Sequence, residues 1–269
     1  MILSDAVADT TARMPARGEH PGATKPGYLS EVFVSFQGEG AHIGCRHLFV
    51  RLAGCNLRCS YCDTPDSLER TAGYAVYDGG GAPTHHANPV SAAEVRELIA
   101  AKLDGDAAID AVALTGGEPL AQSEFLAAVL GPNRLPVPVL LETNGVLPRR
   151  LPDVLPLIDI VSMDIKLASN AHEGPFWDEH AEFIELARTK DLYVKILVDC
   201  STADGDVEQA VSLLAPLRPR VPAFLQPIVD AANRPLIDGD RLTHFFGLAR
   251  QQLPTIRVLP QMHKLLGIR

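Results

Sequence analysis

The sequence predicts an α/β fold: a partial, open barrel of parallel β-strands with helices outside. Three observations carry that prediction. From Ser91 onward, apolar runs alternate with helical stretches at roughly 30-residue spacing, the rhythm of βα units that build a parallel sheet. Six such units, one with a degraded helix, fall short of the eight that close a barrel. Polar and glycine-bearing segments cluster at the carboxyl ends of the apolar runs, where such sheets place their ligands.

The elements follow in chain order. Residues 1–27 mix Ala, Thr, Pro, Gly and charges without a continuous apolar core, and are expected to be a flexible tail ahead of one domain, 28–269. Tyr28 to Phe36 reads as extended, with Val32, Val34 and Phe36 on one face, and runs into Gln37-Gly38-Glu39-Gly40. His47 to Leu52 is a second strand, leading into a cysteine loop. Residues 66–90 hold Gly79-Gly80-Gly81 and two prolines, and are expected to be an irregular insertion. Ser91 to Leu103 is a helix: Ser91 and Glu94 make a capping box, and Val95, Leu98, Ile99 and Leu103 form one stripe.

Ile109 to Leu114 suits a buried parallel strand that stops at Thr115-Gly116-Gly117-Glu118-Pro119. Ser123 to Leu130 is helical, and Val137 to Leu141 is a strand ending in Glu142-Thr143-Asn144-Gly145. Pro148, Pro152 and Pro156 then argue against a full helix before the strand Ile158 to Ile165. Helices over Asp178–Arg188, Val207–Leu217 and Asp240–Leu253 alternate with strands Leu192–Val198, Ala223–Ile228 and Ile256–Leu259.

Composition narrows the function. The chain has 269 residues, enough to bury a stable core without disulfides. Its 24 basic against 33 acidic residues, a net charge of −9, argue against a broad nucleic-acid face. No apolar run approaches the roughly 18 residues of a membrane span, and no signal peptide is evident, so a cytoplasmic protein is expected. Five cysteines, an odd number, point away from a disulfide framework.

Cys55, Cys59 and Cys62 fall in one short loop with C-x3-C-x2-C spacing. Three unrelated packed cysteines are disfavoured by the interleaved Arg58 and Ser60. Zinc would need a fourth ligand, for which Cys45 and His47 are candidates. A four-iron cluster on three thiolates would leave one iron free for a substrate or cofactor.

The C-x3-C-x2-C loop resembles that of the radical S-adenosylmethionine (SAM) enzymes. Gly116-Gly117-Glu118-Pro119 is similar to that superfamily's glycine-rich motif, whose glycines let backbone approach the ligand. The resemblance implies a partial barrel of the radical SAM type, a [4Fe-4S] cluster on Cys55, Cys59 and Cys62, and SAM on the open iron. Ser30-Glu31-Val32-Phe33, Phe36-Gln37-Gly38-Glu39-Gly40, Phe49 to Leu57, Cys62-Asp63-Thr64 and His263 to Ile268 together resemble the 7-carboxy-7-deazaguanine synthase family. That family converts 6-carboxy-5,6,7,8-tetrahydropterin to 7-carboxy-7-deazaguanine, expelling ammonia, with Mg²⁺ as a further cofactor. Its product feeds queuosine-type nucleosides, but the enzyme acts on the free small molecule.

The resemblance also implies roles for residues. Phe36, Gln37, Gly38, Glu39, Arg51, Thr115 and His263 would bind substrate, and Arg269 would do so through its main-chain carboxylate. Arg51, mid-strand among apolar residues, suits a substrate carboxylate; the alternative is a structural ion pair. Thr64 would hold Mg²⁺, and Asp63 would either ligate or orient. Gly116, Gly117, Glu118, Ser162, Asp164, Lys166 and Gln226 would face SAM. Ser162-Met163-Asp164-Ile165-Lys166 departs from the Ser-Pro-Lys form of some members, so which side chain contacts the ribose stays open.

An external flavodoxin- or ferredoxin-like electron donor and a homodimer are implied as well. The rivals are a glycyl-radical enzyme activating enzyme, with the same cysteine spacing, and a non-catalytic zinc-stabilised binding protein. Cys45 and Cys200 are expected as packing residues, and His85-His86 as loop.

Overall fold

The computed structural model describes residues 25–79, 81–131, 133–217 and 220–269. Most of the expected tail, residues 1–24, lies outside them; Gly27, the last residue assigned to it, is bonded in both directions to Val90.

The chain opens with β1 (Leu29–Phe36) and β2 (Arg46–Leu52), which pair antiparallel, so the parallel run starts only at β2. The insertion is not irregular. It contains a hairpin, β3 (Gly73–Val76) and β4 (Thr84–Ala87), whose first strand pairs parallel to β1 and widens the sheet. Tyr74 and Val76 alternate inward and are buried, while all of β4 is exposed. Four-residue strands beside a glycine run carry too little periodicity to be seen in the sequence.

The predicted alternation then unfolds. After α1 (Ala92–Gly105) come β5 (Ala111–Gly116), α2 (Ser123–Leu130), β6 (Val139–Thr143) and β7 (Ile160–Ile165). The short α3 (Ala168–Ala171) and the longer α4 (Trp177–Ala187) precede β8 (Asp191–Val198), and α5 (Asp204–Leu214) precedes β9 (Ala223–Pro227). The chain closes with α6 (Gly239–Arg250), β10 (Arg257–Val258) and α7 (Met262–Leu266). The Ser91–Glu94 capping box forms at α1. Between β6 and β7 the prolines leave only two 3-10 turns, one starting on Pro148 and the other carrying Pro156 at its second position.

Among the described residues ten strands form one sheet, ordered β10-β9-β8-β7-β6-β5-β2-β1-β3-β4, with β10 and β4 as separate edges. It is an open barrel. The larger core lies between sheet and helices. A smaller apolar layer fills the inner face, one side chain per strand: Phe33, Phe49, Ala113, Leu140, Ile160, Tyr193 and Phe224.

Strand periodicity fixes what lies above that layer. Side chains two residues further along share its face. Arg51 follows Phe49, Thr115 follows Ala113, Glu142 follows Leu140, Lys195 follows Tyr193 and Gln226 follows Phe224. Register aligns Arg51 with Thr115 and Asp164 with Lys195. A polar ring therefore sits on an apolar floor at the carboxyl ends of the parallel strands.

Candidate active site

A cavity of about 670 Å³ opens over this ring, a size suited to a small-molecule ligand with a cofactor. The cysteine loop forms one wall. Cys55, Cys59 and Cys62 are unpaired, half-buried and line it. The loop is tied at many points: Cys55 N–H donates to Leu68 O (3.1 Å), Ser60 Oγ to Asn170 O (2.6 Å), and Arg58 Nη1 to the carbonyls of Cys55 and Leu57 (3.0 and 2.8 Å). Burial pushes the Cys55 and Cys59 thiols up, and the Lys166 ammonium opposes this at both. Three free thiols on one braced loop, facing a common space near a cation, fit a cluster held by thiolates. Cys45 and Cys200 are not packing residues: one is half-buried, the other exposed.

Gly116 and Gly117 also line the cavity, and their lack of a side chain serves the cysteine loop first. A Cβ on Gly117 would lie 2.4 Å from Gly54 O and 2.6 Å from Ser67 O. At Gly116, with φ at +143°, it would lie 2.3 Å from Leu52 O. The two strand ends are stitched by Gly117 N–H to Leu52 O (3.1 Å) and Glu118 N–H to Gly54 O (2.9 Å).

Two residues expected to face SAM do not reach the cavity. Glu118 is wholly buried and accepts from Leu120 N–H (3.0 Å), Asn144 N–H (2.9 Å) and the Thr143 hydroxyl (2.8 Å), tying β5 to β6. Burial lifts its carboxyl to about 7 against those three bonds. Ser162 shares the inner face of β7 with Asp164 but sits one layer lower, in register with Tyr193.

Asp164 and Lys166 do line the cavity. Lys166 Nζ lies 3.0 Å from Asp164 Oδ2 and 5.4 Å from the centre of the Tyr61 ring, between the second and third cysteines of the loop. Gln226 also lines it, but its amide donates to Glu39 Oε1 (3.0 Å), away from the cofactor side expected for it.

Gln37 and Glu39 leave β1 toward the cavity floor. Gln37 Nε2 donates to Glu142 Oε1 (2.8 Å), and its Oε1 accepts from Glu39 N–H (3.1 Å). Glu39 Oε1 accepts from Gln226 and from Gln261 (2.7 Å), and Oε2 from Lys195. Burial would raise this carboxyl; the Lys195 charge and hydrogen bond, with His263 and the Gln261 amide, together outweigh it and hold Glu39 at about 2. Gly38 gives space to α7: its Cβ would sit 2.0 Å from His263 Nδ1, and Met262 N–H donates to Gly38 O (2.9 Å).

Thr115, Thr64, Phe36 and His263 line the remaining wall. Asp63 Oδ2 accepts from Gln261 Nε2 (3.2 Å) and faces Lys264 Nζ (3.5 Å), an orienting arrangement. Arg51 Nε donates to Glu31 Oε1 (2.8 Å), so the structural ion pair exists, and Arg51 still faces the cavity. Arg269 lines the cavity, and its side chain is engaged there: Nη1 lies 2.5 Å from Glu31 Oε2 and the guanidinium 3.7 Å from the Tyr77 ring centre. Lys195, Glu142 and Gln261 were not singled out by their sequence. The signal for Lys195 was the one that marked Arg51, a cation inside an apolar strand.

The fold and the thiol loop define a radical SAM enzyme, and the Radical SAM superfamily model matches residues 50–214. A 7-carboxy-7-deazaguanine synthase of Geobacter sulfurreducens is 37% identical over 253 residues, covering 91% of this chain and 99% of that protein. The synthase of Methanothermobacter thermautotrophicus is 32% identical, covering 90% and 97%. The chain belongs to the 7-carboxy-7-deazaguanine synthase family. Among solved structures, QueE from Escherichia coli superposes with a TM-score of 0.53 at 24% identity, over 88% of this chain and 95% of that one. A radical SAM methyltransferase from Sphaerobacter thermophilus gives 0.52 at 13% identity, over 86% and 77%. Both share the fold.

Proposed function

We propose that the protein is a SAM- and [4Fe-4S]-dependent carbon–nitrogen lyase that converts 6-carboxy-5,6,7,8-tetrahydropterin to 7-carboxy-7-deazaguanine with release of ammonia. The observation that carries this is one cavity lined both by the thiol loop and glycine pair and by Glu39 and Arg51. When bound to Cys55, Cys59 and Cys62, the cluster with SAM supplies hydrogen-atom abstraction from the substrate.

The chain's own residues bind and orient. Glu39, fixed and ionised, accepts an N–H of the pterin edge, and Arg51 offers its free guanidinium nitrogens to the substrate carboxylate. Thr115, Phe36, Gln37, Gly38 and His263 complete the substrate side, and Arg269 closes its rim. Gln226 belongs there too, through its bond to Glu39. Gly116, Gly117, Asp164 and Lys166 face SAM. Thr64 would serve as one weak ligand to Mg²⁺, which would help hold the substrate, and Asp63 beside it is oriented by Gln261 and Lys264.

An external flavodoxin- or ferredoxin-like donor, a homodimer and a cytoplasmic location complete the reading. Five free cysteines support the location, and among the described residues no helix is long and apolar enough to cross a membrane. Anaerobic turnover of the carboxylated tetrahydropterin by reconstituted protein tests the proposal. Brown protein carrying iron and sulfide should yield the deazaguanine; zinc without iron, or an intact cluster with Mg²⁺ and no product, refutes it.

A further inference from the structure

Resting on that reading, we propose that Lys195 is a positioning residue that sets substrate specificity: it keeps Glu39 a pure acceptor, so the site selects a 2-amino ring and rejects a 2-oxo ring. Lys195 is 4% exposed, yet it bonds Glu39 Oε2 and lies 3.1 Å from Asp164 Oδ1. A buried lysine on an apolar strand is costly unless paired, and here two carboxylates pair it.

The geometry leaves Glu39 little freedom. A carboxylate offers about four lone-pair positions. The Gln226 and Gln261 amides take two on Oε1, and Lys195 takes one on Oε2. One acceptor position remains, beside the ammonium. A ring amino group can donate to it, whereas a ring carbonyl would meet lone pair against lone pair. That rejection holds only while Glu39 cannot take a proton and become a donor.

Glu118 is the internal comparison. It too is wholly buried with three hydrogen bonds, but from two backbone N–H groups and a hydroxyl; among the described residues no ammonium bonds to it, the Lys166 charge is the smallest of the causes that lower it, and burial raises its carboxyl to about 7. Glu39, bonded to Lys195, falls to about 2. The other charges facing this pair are Asp164 and Glu142, whose negative charge would favour a proton on Glu39, and His263, which opposes it. Lys195 supplies the largest opposing charge and a direct bond to Glu39, so its loss shifts Glu39 toward a neutral carboxylic acid, able to donate to a 2-oxo ring.

The test is equilibrium binding of 6-carboxypterin and of 6-carboxylumazine, its 2-oxo counterpart, to anaerobically reconstituted protein with SAM, read by fluorescence titration. The wild type should prefer the pterin at least about tenfold, the worth of one charge-assisted hydrogen bond. Lys195→Met should bring the two affinities within about threefold, and Lys195→Arg should keep the preference. In a Glu39→Gln background, Lys195→Met should leave the ratio unchanged, because Lys195 acts through Glu39. If Lys195→Met does not fold, Lys195→Gln, which keeps a polar side chain of similar length without the charge, carries the test and should likewise narrow the preference. Failure of the wild type to bind the pterin overturns the proposed function. Binding without preference, an undiminished preference in Lys195→Met, or a further change in the Glu39→Gln background overturns the role of Lys195.

Discussion

Gly117→Ala probes the seam on which the cysteine loop is hung. The new Cβ would meet Gly54 O at 2.4 Å and Ser67 O at 2.6 Å, both backbone atoms, so no rotamer change can relieve it. One chain must move by close to 1 Å, and the Glu118 N–H to Gly54 O bond shares the contact. Overpacking of this kind costs roughly 1–3 kcal/mol, and the strained hydrogen bond about 1 more. A loss of about 2–4 kcal/mol should lower Tm by about 5–12 °C in a domain of this size. Because Gly54 and Ser67 flank the thiols, iron content after reconstitution should fall with it. The control is Gly205→Ala in α5, where a Cβ meets nothing within 4 Å; it should hold or gain up to about 1 kcal/mol. Calorimetry and iron analysis on both variants decide the matter. Wild-type Tm and full iron loading in Gly117→Ala would refute the steric account.

Other consequences follow from single side chains. Arg51→Ala should raise KM for the pterin substrate about 10- to 100-fold through loss of a charge-assisted contact. The cluster absorbance should persist, since Glu31 retains Arg269; loss of the cluster would make Arg51 structural. His47 is buried and held neutral, its folded value lowered by burial from 6.5 to about 4. Its stabilising effect is complete above pH 6.5 and lost as pH falls through 4, about 3 kcal/mol in all. Urea unfolding of His47→Gln should therefore show a shallower decline between pH 6.5 and 4 than the wild type; parallel curves would contradict this.

Some of the molecule was legible one residue at a time. The capping box of α1, the proline-broken link before β7, the thiol spacing and the glycine pair each depend on a few contiguous residues, whose conformational limits act locally. The class of fold followed from the recurrence of such local signals. Short strands carry weaker ones, and the β3–β4 hairpin went unseen because its stability comes from pairing with β1 and burying Tyr74 and Val76.

What the sequence by itself determined, then, was the set of chemical parts and the open barrel that presents them. Tertiary structure decided which parts meet. Lys195 lies 156 residues from Glu39, Gln261 lies 222 away, and Arg269 is 238 from Glu31. Glu118 looked like a cofactor residue and instead locks two strand ends together, while Ser162 fell one layer short of the cavity. Strand period 2 tells which face a side chain takes, but its height above the apolar floor and its partner depend on register between strands remote in sequence. That register is set by the packing of the whole sheet, not by any short segment of it.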